Sequence, residues 1–181
     1  GGCQNMIEPL LQTTTRSARC AELLSALVAI DSINPMGRSS EREEPVERDV
    51  VEAIEQLFLP YADQVMLSRQ RCSPIHESLI IEWNVNDRLR PVLFESHMDT
   101  VPAGGWSERA LSPRVENGLL YGLGACDDKG CLTAMLIAML ELLDQGVRPA
   151  RSITLLCAGD EEYAQTGILR FLEETDTEFA Y

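Results

Sequence analysis

Three short apolar runs end in turns loaded with imidazole and carboxylate side chains, and few folds give all three a place. Val92–Glu95 leads into Ser96-His97-Met98-Asp99-Thr100-Val101-Pro102, and Ile153–Ala158 leads into Gly159-Asp160-Glu161-Glu162. Between them, Leu120-Tyr121 leads into Gly124-Ala125-Cys126-Asp127-Asp128-Lys129-Gly130. Open α/β sheets build their sites at the carboxyl ends of strands, where these turns would fall. Helical periodicity fills the intervals. One helix is expected from a cap at Thr13-Thr14-Thr15 to about Ile30, ended by Asp31-Ser32-Ile33-Asn34-Pro35. A second should start near Pro45 and stop before Pro60, a third should run from about Lys129 to Gln145, and a short one from Gly167 to Glu174. Further strands are expected at Gln64–Ser68 and Ser78–Trp83, and Asn117-Gly118 marks a hairpin. Val92–Glu95 reads as a buried central strand. The alternation specifies an α/β fold, a central mostly parallel (mixed) sheet flanked by helices.

Composition narrows the function classes. A net charge of −14 argues against a nucleic-acid partner, which needs a basic face. No apolar run approaches the ~20 residues of a membrane span, and the first residues lack a basic region followed by an apolar core, so no secretory signal is expected. The six cysteines show no C-x-x-C spacing and are expected as reduced thiols of a cytoplasmic protein. At 181 residues the chain is long enough for one domain with a real core.

The turns carry the chemistry. In an extended segment residues two apart share a side, so His97 and Asp99 can converge, one ring nitrogen held by the acid and the other free for a metal. A lone histidine satisfied by local hydrogen bonds is the plainer alternative, but this chain has only two histidines and places this one among acids at a strand end. Asp127 and Asp128 precede a helix, and capping explains them when taken alone. A dinucleotide loop at Gly122-x-Gly124 is disfavoured, because Asp127 stands where the third glycine should be. Asp160, Glu161 and Glu162 crowd like charges beyond a core strand, which a cation would offset. His76 is expected in a polar loop, Trp83 and Trp106 as packing residues, and Cys126 as a small buried thiol.

In this order the motifs resemble those of the acetylornithine deacetylase / succinyl-diaminopimelate desuccinylase / carboxypeptidase G family of di-zinc amide hydrolases. The resemblance runs from Leu27 to Gly167, and Leu123, where many relatives carry Arg, is closer to the acetylornithine deacetylases. It implies a zinc-peptidase-like catalytic domain in which His97 binds one zinc, Glu162 the other, and Asp127 bridges both. Asp99 would orient His97 and Glu161 would be the general base. Zn2+ is the implied metal, two per complete site, with Co2+ or Mn2+ as alternatives for a carboxylate-rich set. The implied reaction is hydrolysis of an amide bond in an N-acyl amino acid or small dipeptide-like substrate. Family members also supply a later acidic ligand, a late histidine and an inserted dimerisation/lid domain. Residues 1–181 are therefore expected to be the N-terminal part of the catalytic domain, incomplete at the C-terminus and poor in metal affinity and turnover alone, with a homodimer for the full-length protein. Two rivals are a truncated non-catalytic paralogue acting as a binding or regulatory module, and an aminopeptidase on a related di-metal fold.

Overall fold

A computed structural model describes residues 15–39, 42–85 and 88–180. Helix α1 (Arg16–Ala29) starts where Thr15 Oγ1 accepts the Ala18 N–H at 3.3 Å, a side-chain N-cap. Thr13 and Thr14 of the expected cap lie outside the described residues. Helix α2 (Arg48–Phe58) buries Val50, Val51, Ile54, Leu57 and Phe58, one apolar stripe at helical spacing. It passes into a 3-10 turn, Leu59–Tyr61, that accommodates Pro60. Strands β1 (Met66–Ser73) and β2 (His76–Trp83) pair as an antiparallel hairpin. Strand β3 (Val92–His97) is followed by a short helix α3 (Ser107–Ala110) and a two-stranded hairpin, β4 (Arg114–Glu116) and β5 (Leu119–Tyr121). Asn117 and Gly118 both take positive φ there, the turn an Asn-Gly pair favours. Helix α4 (Lys129–Asp144), strand β6 (Ile153–Ala158) and helix α5 (Thr166–Glu174) complete the order.

The main sheet has the order β1-β2-β6-β3. It is mixed: β3 runs parallel to β6, while β1–β2 and β2–β6 are antiparallel. The parallel share is smaller than expected because β1 and β2 close on each other through a tight turn. Two details also differ from the sequence reading. Among the described residues β3 is a terminal strand, not a central one, and it leaves Phe94 45% exposed. β1 extends well past Ser68, because Arg69-Gln70-Arg71 sit on an edge strand where charge is tolerated, Arg69 reaching Glu55 at 2.8 Å.

Strand alternation sorts the core into two layers. Leu79, Ile81 and Trp83 of β2, with Leu155 and Cys157 of β6, pack into the large cluster that holds α1, α2 and α4. Leu156 and Ala158 face the opposite way, onto Phe171 of α5. α1 lies against α4, and Lys129, fully buried, donates from Nζ to the Leu27 and Ile30 carbonyls at 2.8 and 2.9 Å. The lysine thereby supplies a donor to the Ile30 carbonyl and shares the Leu27 carbonyl with the Ile30 N–H at the end of α1. Leu136→Ala removes a fully buried side chain from the centre of this layer. It is expected to lower stability by about 2–5 kcal/mol in urea unfolding. A change within about 0.5 kcal/mol, the range of surface substitutions, would contradict the core assignment.

Candidate metal centre

The β3–β6 ladder runs in register from Val92–Ile153 to His97–Ala158, so both strands release their turns at the same level. His97 is the last residue of β3 and is only 6% exposed. Its Nδ1 donates to the Asp99 main-chain carbonyl at 3.0 Å and lies 3.5 Å from Asp99 Oδ1. This leaves Nε2 outward, 3.1 Å from Asp127 Oδ1 and 3.7 Å from Glu161 Oε2. One ligand atom each from His97, Asp127 and Glu162 lies within 4.8 Å of the other two. The imidazole and the carboxylates suit a divalent cation such as zinc.

Electrostatics point the same way. Burial pulls the His97 imidazole down, but Asp99, Asp127 and Glu161 outweigh it and carry it up to about 10. Glu162 is pushed up by burial and by the carboxylates of Asp127, Asp99 and Glu161, against the pull of His97. Negative charge gathers here faster than one histidine can balance it, and a cation would relieve both shifts.

Asp99 is fully buried, and its carboxylate is a hub rather than only a partner of the ring. Oδ1 accepts the Glu161 N–H at 3.0 Å, and Oδ2 accepts the Glu162 N–H at 3.2 Å and Asn34 Nδ2 at 2.7 Å. Burial would raise it, but His97 first, then Asn34 and the two amides, hold it below the ordinary carboxylate range. Asn34 reaches it because the segment after α1 runs alongside the β3 exit, with Asn34 N–H on the Thr100 carbonyl at 2.8 Å and Thr100 N–H on the Ser32 carbonyl at 3.1 Å. Asp128 does not cap α4. It makes no capping hydrogen bond, and its Oδ2 accepts Ser96 Oγ at 2.6 Å, which ties the loop before α4 to β3. The Asp127–Asp128 peptide is cis.

Several expectations are corrected. Asp160 does not add to the acid cluster: with φ +58° its side chain turns inward, accepting Asn34 Nδ2 at 2.9 Å and Thr166 Oγ1 at 2.7 Å. His76 is not in a polar loop. It opens β2, is 5% exposed, and its Nδ1 donates to Glu47 Oε1 at 2.7 Å. Cys126 is exposed, since the loop before α4 faces outward, and Trp106 is 47% exposed in its 3-10 turn, whereas Trp83 is buried as expected. The five described cysteines, Cys20, Cys72, Cys126, Cys131 and Cys157, are all unpaired. Among the described residues no helix is long and apolar enough to cross a membrane.

Imidazole and carboxylates thus gather where adjacent strands of a layered α/β domain end. Residues 93–181 match Peptidase family M20/M25/M40. The chain is 32% identical over 165 residues to a succinyl-diaminopimelate desuccinylase of Alkalilimnicola ehrlichii, covering 87% of this chain and 39% of that protein. It is 30% identical over 156 residues to a Beta-Ala-Xaa dipeptidase of Lactobacillus delbrueckii, covering 85% of this chain and 32% of that one. Among solved structures, human carnosine dipeptidase 1 superposes with a TM-score of 0.69 at 18% identity, over 96% of this chain and 38% of that chain, a likeness of fold. The chain belongs to peptidase family M20/M25/M40. It spans under half the length of these relatives.

Asp99→Asn would set a donor amide against the Glu161 and Glu162 N–H groups and Asn34. It is expected to lower stability by about 1–3 kcal/mol in urea unfolding of the metal-free protein. Wild-type stability would show that the carboxylate does not hold the turn.

Proposed function

We propose that the chain is the N-terminal part of the catalytic domain of a metal-dependent hydrolase that cleaves a linear amide bond in an N-acyl amino acid or small peptide. The observation that carries this reading is the convergence of His97, Asp127 and Glu162, with Glu161 beside them, at the ends of β3 and β6 and before α4. His97 Nε2, Asp127 and Glu162 would hold the metal, Asp127 serving both ions of a pair. Zinc, when bound, supplies Lewis acidity for the scissile carbonyl and acidifies the attacking water. Glu161 takes the proton of that water and returns it to the leaving amine. Its carboxylate is 37% exposed and close to His97 Nε2, within reach of a substrate that enters from solvent. Asp99 holds the backbone of Glu161 and Glu162, so the base and the ligand keep a fixed spacing as the proton moves.

Substrate class rests on the named relatives, which include a desuccinylase of an amino acid and a dipeptidase. Leu123, 5% exposed, packs with Ala103 and Ala110 and has no part in the ligand set. An acetylornithine-type substrate is the narrower form of the reading. A cytoplasmic setting belongs to the same reading.

Equilibrium dialysis with elemental analysis tests the site directly. The chain alone is expected to take up zinc weakly, and His97→Ala or Asp127→Ala to abolish that uptake. In a protein carrying the complete catalytic domain, Glu161→Gln is expected to retain metal and lose roughly 10²–10⁴-fold in kcat on N-acetylornithine or a dipeptide. Zinc uptake that survives both ligand substitutions, or near wild-type turnover in Glu161→Gln, would overturn the assignments.

A further inference from the structure

Behind the metal-centre residues lies a second buried polar cluster that the proposed reaction does not use. Glu47, at the threshold of α2, is fully buried, and its carboxylate has three donors. Oε1 accepts His76 Nδ1 at 2.7 Å and the Asp160 N–H at 3.2 Å, and Oε2 accepts the Glu77 N–H at 3.0 Å. His76 Nε2 lies 3.6 Å from Asp160 Oδ1, on the same oxygen that accepts Asn34 Nδ2. Asn34 Nδ2 also donates to Asp99. An unbroken line of polar contacts therefore runs from His76 through Glu47, Asp160 and Asn34 to Asp99, and from Asp99 to the backbone of Glu161 and Glu162. The chain's two histidines stand at the two ends of one network.

Stability alone does not account for a buried Glu–His pair in this place. Removing two polar or charged groups from water offsets most of their mutual attraction, and well-packed apolar residues of the same volume would serve the core as well. The pair adds direction. Glu47 grips the main chain one residue before Glu161, and Gly159 sits so close over the Glu47 carboxylate and the Glu77 carbonyl that a Cβ there would collide with both. Asp160 is held in the left-handed region, and Thr166 closes on its other oxygen. The turn that presents Glu161 and Glu162 is thus fixed from beneath by Glu47 and from the side by Asp99.

We propose that Glu47 and His76 are positioning residues of the metal centre, which set its metal affinity by fixing the Gly159–Glu162 turn without touching the metal. The inference rests on the metal-site reading above. Groups that orient ligands from behind typically change metal affinity by roughly 10–100-fold when removed. Burial would pull the His76 ring down, but the facing carboxylates of Glu47, Asp160 and Asp99 outweigh it and raise the ring, while burial pushes Glu47 itself up.

The test uses the whole chain and zinc alone as the probe. In nitrogen-15 NMR of the wild type, added zinc is expected to move the ring signals of His97 through ligation and those of His76 with the same midpoint through the network. Glu47→Gln and His76→Gln, with melting temperatures recorded alongside, are expected to bind zinc about tenfold more weakly wherever they fold. A structural role would lower melting and leave the affinity of the folded protein unchanged. His76 signals that stay fixed while those of His97 move would overturn the proposal, as would wild-type affinity in either folded variant. Should neither variant fold, the wild-type NMR decides. If zinc leaves His97 itself unmoved, the metal-site reading fails and takes this inference with it, so the two failures are told apart.

Discussion

The parallel ladder between β3 and β6 is the constraint on which the site depends. Because His97 pairs with Ala158, the His97-Met98-Asp99 exit and the Gly159–Glu162 turn leave the sheet side by side. Asp99 can then accept the amides of Glu161 and Glu162, a link between residues more than sixty positions apart that local geometry alone would not make. The third contributor, Asp127, arrives because α4 packs on β3 and starts at the same end of the sheet. Ser96 and Asp128 tie that start to the strand, and Lys129 ties it to α1. Loss of the ladder's register by one residue would turn His97 to the other face of the sheet.

Much of the fold was legible because period and punctuation agree. Helix α4 is apolar on most sides and ends at Asp144, just before Gly146, and β6 is a continuous apolar run, so both fall almost where the sequence puts them. The hairpin at Asn117-Gly118 is fixed by backbone chemistry that two residues carry by themselves. Edge character was harder to read. β1 is polar because one flank is free, and β3 is apolar although it stands at the end of the described sheet. Strand position depends on which partners arrive, and hydrophobicity does not encode that.

The site divides in the same way. His97, Asp99, Asp127, Glu161 and Glu162 stand out as ligand-type residues just beyond apolar runs, and the structure brings them together. Asn34, Glu47, His76 and Asp160 do not stand out, because each earns its role through contacts across long sequence separations. His76 lies 29 residues from Glu47, and Asn34 lies 126 from Asp160. One partial signal was present all the same: with only two histidines in the chain, each imidazole stands out, but the burial of His76 beside Glu47 is a fact of the fold. Cys126 shows the converse error, a small residue beside a ligand that reads as buried and is exposed.

A divalent cation held where three chain segments converge by sheet register would show in anomalous diffraction at the zinc edge from crystals grown with zinc. A peak is expected within bonding distance of His97 Nε2, Asp127 and Glu162, with Glu161 beside it and Asp160 turned away. Density for zinc elsewhere on the acidic surface, with none among these three side chains, would contradict it.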